Sequence, residues 1–368
     1  ASKAFSCKEI YRIVLSEGLD VEVVSGGELY TALQAGVPRR QIHFQGNNKS
    51  IGELTMALEN GVGDIVVDNL SELERLESLA AERGVTAPIS FRIKPGIDAH
   101  THEFIRTGQV DSKFGLDLAS GEAMDALRRA SELEHVVVKG LHCHIGSQIL
   151  EKAPFVHAAE VMLQFFAQVR EELGTTFEHL NLGGGFGIHY TERDDAIPYE
   201  EYMEDVSAMV HAKCRELGLD LPYIFIEPGR SIVGEAGITL YTVGNIKHIP
   251  GVRDYVAIDG GMFDNPRYAL YQSAYTCILA NKAGEPADYT ATIAGKCCES
   301  GDLIQEHTLI QKPEEGDILA VLSTGAYNYS MASNYNRNLK PAVVMVSHGK
   351  SRIVVKGETY EDLVRNDV

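Results

Sequence analysis

Short apolar runs alternate with amphipathic stretches over roughly the first 230 residues, and this alternation constrains the fold more than any other feature of the sequence. Seven runs are typical of strands: Asp20–Val24, Gln41–Phe44, Asp64–Val67, Ile89–Ile93, Val136–Cys143, His179–Leu182 and Tyr223–Ile226. Helical spacing of apolar residues occupies stretches between them, such as Lys8–Glu17, Ser71–Arg83, Phe155–Leu173 and Glu200–Leu217. With Ala1–Lys3 as the tail of an eighth strand, the pattern predicts a (β/α)8 TIM-like barrel, and a doubly wound sheet is the alternative.

After Arg230 the pattern changes to short strands with turn residues between them and little helix. These strands are predicted at Ile238–Ile246, Tyr255–Asp259, Tyr289–Gly295, Asp317–Leu322, Ala342–Ser347 and Lys350–Val355. We therefore expect an α/β barrel domain at residues 1–235, its first strand truncated, followed by an all-β domain (barrel or sandwich) at residues 236–368.

Charge and cysteine usage limit the possible partners and the compartment. The net charge of −19 argues against nucleic acid or an anionic membrane as a partner. No apolar run approaches the roughly 18 residues of a membrane span, and the first residues do not form a signal or transit peptide. Six cysteines without a repeating spacing indicate free thiols in a reducing cytoplasm.

Polar residues and glycines follow the predicted barrel strands at the positions where a barrel places its chemistry. These residues are Lys3, Arg92, Lys94, His142, His144, the glycine loop Gly183–Gly187, and Glu227–Arg230. Phosphate sites of barrels commonly use the loops after strands seven and eight, which here carry the glycine loop and Gly229–Arg230. We therefore expect a phosphorylated ligand, with Glu227 meeting a cationic or protonated part of it.

Three successive glycines, Gly183–Gly185, remove every Cβ where the chain turns, so backbone N–H groups can approach a ligand and positive φ angles are allowed. A helix opening behind the turn would add unsatisfied N–H groups that suit a phosphate. The G-x-G-x-x-G spacing of dinucleotide sites is not met, so a bare strand-to-helix turn is the alternative.

Each of these residues also has a purely structural or different interpretation. Lys3 could be a solvated lysine, and Glu227 before Pro228 could be a carboxylate at a helix N-terminus. His142 and His144 alternate onto one side of a strand, as metal ligands do, but no third and fourth ligands are evident in the sequence. Cys297 and Cys298 could be two small buried apolar residues.

An ordered set of motifs gives the chain a family resemblance from residue 1 to about residue 350. The motifs are Ser2–Ala4, Phe44–Ser50, Phe91–Gly96, Ser112–Gly115, His142–Gln148, the glycine loop, Glu227–Arg230, Cys298–Asp302 and Gly325–Tyr327. Together they resemble the alanine-racemase-type (fold type III) pyridoxal phosphate decarboxylases, most closely the branch that acts on diaminopimelate.

The resemblance implies pyridoxal 5'-phosphate as the cofactor and assigns residues to it. Lys3 matches the lysine that forms the Schiff base, and Glu227 matches the acid that keeps the pyridine nitrogen protonated. His144 matches the imidazole on the ring face and a catalytic position, Arg92 a polar neighbour, and Glu22 a counter-charge for the lysine. Further cofactor contacts, chiefly at the phosphate, are implied for Ser147, Gly185, Pro228, Gly229, Arg230 and Tyr327.

The resemblance also assigns the substrate contacts. Cys298 matches the catalytic proton donor, and Glu299 the group that reads the distal ammonium. Substrate binding, mainly at the distal carboxylate, is implied for Arg230, Arg267, Tyr271 and Tyr327. In this family the Cys298–Asp302 loop comes from the partner subunit, so a homodimer with shared active sites is implied.

The expected activity is decarboxylation of meso-2,6-diaminopimelate to L-lysine and CO2, the last step of lysine biosynthesis. One alternative is a sister decarboxylase acting on ornithine, arginine or a carboxylated polyamine, and another is a catalytically silent relative. Relatives carry a segment before the lysine that starts the first barrel strand, whereas this sequence begins two residues before Lys3.

Overall fold

The computed structural model describes residues 1–97 and 112–368 of the chain. They divide into two compact units. The α/β unit comprises residues 1–187 and 196–229, and the β unit comprises residues 188–195 and 230–368. The division therefore follows Gly229, whereas the domain boundary between residues 235 and 236 stays a prediction.

The α/β unit alternates strands and helices, which confirms the fold class expected from the sequence. Its strands are β1 (Val21–Val23), β2 (Ile42–Phe44), β3 (Asp64–Val67), β4 (Ala87–Lys94), β5 (Leu116–Asp117), β6 (Val136–Cys143), β7 (His179–Asn181) and β8 (Tyr223–Phe225). Its helices are α1 (Lys8–Ser16), α2 (Gly26–Ala35), α3 (Ile51–Asn60), α4 (Leu70–Arg83), α5 (Glu122–Ser131), α6 (Ala153–Leu173) and α7 (Tyr199–Leu217). All strand pairs are parallel, in the order β1-β2-β3-β4-β6-β7-β8, with β5 beside β4.

Local signals fix where several helices begin and end. Ser25, Ser50 and Asn69 each accept a hydrogen bond from a backbone N–H of the first turn, at α2, α3 and α4 respectively. Each of these helices then ends at a glycine in the left-handed region. After each of these helix ends the chain enters the next parallel strand, so the carboxyl ends of the strands lie at one edge of the sheet.

The predicted strand at Ala1–Lys3 is wrong. Residues Ser2–Ala4 form a single 3-10 turn, closed by a hydrogen bond from the Phe5 N–H to the Ser2 carbonyl. The backbone nitrogen of Ala1 lies 3.0 Å from the carbonyl oxygen of Pro228, just after β8. One such hydrogen bond is too few to build a ladder, so these residues lie beside the ends of β1 and β8 without joining the sheet.

The β unit contains a six-stranded sheet in the order β11-β14-β9-β10-β12-β13 and a separate ribbon. Its strands are β9 (Thr239–Ile249), β10 (Arg253–Ile258), β11 (Cys277–Leu279), β12 (Tyr289–Ala294), β13 (Leu303–Ile310), β14 (Ile318–Val321), β15 (Val343–Ser347) and β16 (Lys350–Val355). Three short helices accompany them: α8 (Arg230–Val233), α9 (Arg267–Tyr271) and α10 (Tyr360–Val364). Strands β11 and β13 and the three short helices were not predicted.

Each unit has its own buried apolar cluster. The larger cluster includes Phe44, Phe91 and Leu141 of the parallel sheet, while Val256, Ile293 and Leu319 belong to that of the β unit. No helix in the described parts of the chain has the length and apolar character needed to cross a membrane.

Candidate active site

The 3-10 turn presents Lys3 at the carboxyl edge of the parallel sheet. Its side chain is 39% exposed, and its Nζ lies 3.9 Å from Oε1 of Glu22 on β1. The Glu22 carboxylate is buried, and neither oxygen accepts a hydrogen bond from any described residue. A buried carboxylate without hydrogen bonds requires a nearby positive charge, so Glu22 ties the Lys3 amine to this edge of the sheet.

Glu227 follows β8 and is surrounded by side chains from three other strand ends. Asn181 donates to its Oε1 at 2.8 Å, Gln45 Nε2 contacts the same oxygen, and Nε2 of His142 lies 3.1 Å from Oε2. Burial opposes ionisation, but the charge and hydrogen bond of His142, with the charge of Lys3, hold the pKa of Glu227 well below its ordinary value. A carboxylate offers roughly four lone pairs, so three such contacts leave about one for a cationic ligand.

His144 follows β6 and lies in the same electrostatic environment. Burial of the ring, with the positive charges of Lys3 and Arg92, lowers the pKa of His144 well below 6.5. The Gly184 N–H donates to its Nδ1 at 3.2 Å, which places the remaining ring proton on Nε2. His144 is therefore a neutral imidazole of fixed orientation. Arg92, on β4, is buried and lies 4.2 Å from the ring centroid of Phe114.

The three consecutive glycines of the glycine loop pack against the backbone of neighbouring strand ends. A Cβ added at Gly183 would lie 2.4 Å from the Cys143 carbonyl oxygen, and at Gly184 it would lie 2.2 Å from that of Glu227. At Gly185, where φ is +111°, it would lie 2.4 Å from the Gly146 carbonyl oxygen. The backbone contacts alone therefore require glycine at these three positions.

The glycine loop also offers a donor. The Gly185 N–H makes no hydrogen bond within residues 1–97 and 112–368, and Gly185 is partly exposed. Ser147 is half-buried and lies two residues before Ile149, which bridges to Phe186 of the glycine loop. The helix expected directly behind the turn is wrong, because α7 begins only at Tyr199.

Pro228 and Gly229 complete this edge of the α/β unit. Pro228 receives the hydrogen bond of the Ala1 nitrogen, and a Cβ at Gly229 would lie 3.0 Å from the Ala1 carbonyl oxygen. The residues present fit pyridoxal 5'-phosphate: an accessible amine on Lys3, an ionised buried acid at Glu227, a neutral imidazole at His144, and an unused N–H at Gly185.

The α/β unit brings together two histidines that also suit a metal, but their contacts are different. His142 contacts Glu227 and Gln45, whereas His144 contacts the glycine loop. Among the residues that the structure describes, no group of three or more metal-ligating side chains is assembled.

In the β unit, Arg230 and Arg267 both contact Tyr190. The Arg230 guanidinium donates to the Tyr190 hydroxyl and lies 4.8 Å from the Tyr327 ring centroid. The Arg267 guanidinium lies 4.5 Å from the Tyr190 ring centroid and donates to the Tyr275 hydroxyl at 2.8 Å. The two predicted carboxylate-binding arginines are therefore held by one tyrosine that the sequence did not suggest.

Arg267 is only 5% exposed, yet its described partners are all neutral. They are the Tyr275 hydroxyl, the Ser273 hydroxyl at 3.1 Å and the Tyr190 ring. No carboxylate within the described residues forms an ion pair with it. Tyr271 ends the same short helix, α9, and is half-buried. Tyr327 adopts a φ of +61°, a conformation that costs of order 1–3 kcal/mol and is common at functional sites.

Cys298 and Glu299 lie on a loop that is fixed from beneath by Asp302. The Asp302 carboxylate is buried and accepts N–H groups from Met262 at 2.6 Å and Cys297 at 2.7 Å. Cys298 itself is exposed, and its N–H donates to Asn336. Cys297 is buried, as a small apolar residue would be, whereas Cys298 is exposed and does not fit that interpretation.

Three residues of these clusters were missed by the sequence reasoning. Gln45 directly follows β2 and Asn181 ends β7, so the rule that placed Arg92 and Glu227 would also have found them. Tyr190 had no such signal, because it lies in the irregular segment after the glycine loop.

A protein-family comparison matches residues 1–234 to the pyridoxal-binding domain of pyridoxal-dependent decarboxylases. Among curated proteins, the chain is 53% identical to the diaminopimelate decarboxylase of Bacillus subtilis, over 100% of this chain and 84% of that protein. It is 49% identical to the diaminopimelate decarboxylase of Staphylococcus aureus, over 100% of this chain and 86% of that protein.

Two solved structures of diaminopimelate decarboxylases also align with the chain. A diaminopimelate decarboxylase of M. jannaschii in complex with L-lysine aligns with a TM-score of 0.93 at 38% identity, over 100% of this chain and 83% of that one. The enzyme of Helicobacter pylori complexed with L-lysine aligns with a TM-score of 0.90 at 32% identity, over 99% of this chain and 88% of that one.

Proposed function

Because the chain belongs to the pyridoxal-dependent decarboxylases and, within them, to the diaminopimelate decarboxylases, we propose that it converts meso-2,6-diaminopimelate to L-lysine and CO2. Pyridoxal 5'-phosphate is its cofactor. The reaction is the last step of lysine biosynthesis, and the chain is a carboxy-lyase.

The observation that carries the choice of substrate is the buried guanidinium of Arg267. A cation with only neutral partners inside a protein is costly unless an anion is bound part of the time. A guanidinium fork suits a carboxylate, and diaminopimelate has a distal carboxylate that ornithine and lysine lack. Arg267 therefore supports diaminopimelate over the simple diamine precursors, which are the alternative substrates of a sister decarboxylase.

The residues of the α/β unit suit the cofactor. When bound, pyridoxal phosphate supplies an electron sink for the pair of electrons released as the C–CO2 bond breaks. Lys3 would anchor the cofactor through its amine, and Glu227 would pair with its protonated ring nitrogen. His144, as a neutral imidazole, would contact the cofactor without adding a positive charge. Ser147, the Gly185 N–H and Gly229 would bind the phosphate.

The residues of the β unit bind the substrate and supply the proton that replaces its lost carboxylate. Arg267, Tyr271 and Arg230 hold the distal carboxylate, and Glu299 accepts hydrogen bonds from the distal ammonium. The Cys298 thiol donates its proton to Cα, where it replaces the departing carboxylate, and is then reprotonated from solvent. A catalytically silent relative would have no need for an exposed thiol, an accessible amine and an ionised acid together.

We further propose a homodimer with shared active sites in the cytoplasm. The loop that carries Cys298 is at the surface of its own unit, which leaves the thiol accessible to a second chain. A two-fold interface would complete two sites at once. All six cysteines are free thiols, which supports a reducing compartment.

The proposed activity is tested by an absorbance spectrum of the purified protein with pyridoxal phosphate, followed by CO2 release from four substrates. We expect a bound-cofactor band and release from meso-diaminopimelate, with little release from lysine, ornithine or arginine. Release from ornithine or arginine alone would favour a sister decarboxylase, and a cofactor band without any release would favour a silent relative.

Sharing of sites is tested by mixing two inactive proteins, Lys3→Ala and Cys298→Ala, under conditions of subunit exchange. A mixed dimer then has one site with both lesions and one with neither, so random exchange restores about a quarter of the unaltered activity. No recovery despite demonstrated exchange would place both residues in the site of one chain.

A further inference from the structure

Tyr190 lies in the segment that follows the glycine loop and belongs to the β unit. Residues 188–195 are counted with the β unit, and Tyr190 is buried in its apolar cluster. Its backbone is fixed on both sides: the Asp194 carboxylate accepts its N–H at 3.1 Å, and the Thr276 hydroxyl donates to its carbonyl at 3.0 Å. The ring therefore has a defined position before any ligand binds.

Two guanidinium groups use this ring in different ways. Arg230 donates to the Tyr190 hydroxyl, whereas Arg267 lies 4.5 Å from the ring centroid. Tyr275 packs edge-on against Tyr190, with centroids 5.5 Å apart, and also accepts a hydrogen bond from Arg267. Two like charges on one ring repel each other, so their arrangement is held by the ring and by the hydroxyl together.

The Tyr190 hydroxyl has a donor that the described residues leave unused. Its oxygen accepts from Arg230, and no acceptor for its own proton is found within residues 1–97 and 112–368. A bound carboxylate would neutralise the pair of arginines and could accept this proton as well.

We propose that Tyr190 is the residue that sets the preference for a distal carboxylate, by holding the guanidinium groups of Arg230 and Arg267 beside one another for a shared carboxylate. This inference rests on the proposed function and deepens it. Tyr190 acts through the two arginines and is a positioning residue. Its loss therefore weakens ligands that carry the distal carboxylate and leaves ligands without a carboxylate unaffected.

The test compares the Tyr190→Phe variant with the unaltered protein, both loaded with pyridoxal phosphate. Pimelate, a dicarboxylate of the same chain length that has no amines, is the binding probe, and cadaverine, a five-carbon diamine without any carboxylate, is the control ligand. We expect the KM for meso-diaminopimelate and the Kd for pimelate to rise about ten-fold or more, because a hydrogen bond to a charged group is lost. The kcat, the cofactor band and the inhibition constant of cadaverine should stay within about two-fold of the unaltered values by the same reasoning.

Tyr241→Phe is the matched control. Tyr241 is a buried tyrosine of the same unit, but its hydroxyl donates to Asp264 at 2.7 Å and contacts neither arginine. This variant should leave pimelate binding unchanged. In an Arg267→Met background, Tyr190→Phe should have a much smaller effect than in the unaltered protein, because the two residues act together.

Failure of the inference and failure of the proposed function are distinguishable. If the unaltered protein turns over meso-diaminopimelate but Tyr190→Phe binds pimelate as tightly, the inference is wrong and the function stands. If the unaltered protein has no such turnover, the proposed function is wrong. Should Tyr190→Phe fail to fold, Thr276→Val decides: weaker pimelate binding with unchanged cadaverine inhibition supports the inference, and unchanged pimelate binding overturns it.

Discussion

Replacing Arg267 by methionine separates the substrate preference of the β unit from its stability. The guanidinium has five N–H donors, of which the Tyr275 and Ser273 hydroxyls accept two. About three donors therefore remain for a ligand. Losing a buried charge that binds a carboxylate costs about 2–5 kcal/mol, so kcat/KM for meso-diaminopimelate should fall roughly 30- to 5,000-fold.

The stability of the ligand-free protein should change far less. Replacing a buried charge by an apolar side chain of similar volume is neutral or stabilising by about 1–4 kcal/mol. Against this stand two lost hydrogen bonds of about 1 kcal/mol each and a cation–π contact of about 0.5–2 kcal/mol. The two sums nearly cancel, so we expect the free energy of unfolding to change by less than about 2 kcal/mol and Tm by a few degrees.

The assay measures steady-state CO2 release together with thermal unfolding and the cofactor band. Arg253→Met is the control, because Arg253 lies in the same unit but forms an ion pair with Glu306 at 2.5 Å. It should leave the KM unchanged. Undiminished turnover by Arg267→Met would assign carboxylate recognition to another residue, and global unfolding of this variant would make Arg267 a structural residue.

Three further predictions concern the α/β unit. Lys3→Ala should lose the visible band of the bound cofactor, which an absorbance spectrum tests, and a persistent band reducible by borohydride would identify another lysine as the anchor. Glu227→Gln should lower kcat about 100-fold or more with the cofactor retained. Gln45→Leu should lower kcat less than about ten-fold, because Asn181 and His142 still hold the Glu227 carboxylate. Equal losses of kcat in the two variants would contradict this account. Burial opposes protonation of His43, but hydrogen bonds and charges from Asp20 and Asp64 raise its pKa to about 10. Because this pKa is raised on folding, His43 contributes at most about 5 kcal/mol to the free energy of unfolding; the contribution is complete below pH ~6.5 and is lost as pH rises towards ~10. Urea unfolding at several pH values should show this decrease in stability with pH, and the His43→Gln variant should show a smaller decrease.

The strand ends of the α/β unit were predictable because the parallel pattern repeats along the chain. The sequence placed β6 at its observed bounds and put Arg92, His144 and Glu227 at one edge of the sheet. Residues 1–3 were misread because three residues carry no period, and a single turn satisfies them as well as a strand does.

The β unit was less predictable for reasons of local sequence. Strand β13 contains Gln305, Glu306 and His307 at its centre, so it shows no alternation of apolar and polar residues. Helix α9 has only five residues, too few for a helical period. Tyr190 was hidden because its importance comes from Arg230 and Arg267, which are 40 and 77 positions away by subtraction of the residue numbers.

The assignment of residues 188–195 to the β unit has a consequence for how such proteins can exchange parts. The chain crosses between the units after Gly187, after Asp195 and after Gly229, so the β unit is not one continuous stretch of sequence. A recombination event at a single point near residue 230 would bring in a foreign β unit while keeping the resident Tyr190 and its neighbours. In such a chimera Tyr190 would come from one parent and the rest of the β unit from the other. Transferring a new substrate preference to this protein therefore requires the exchange of two segments.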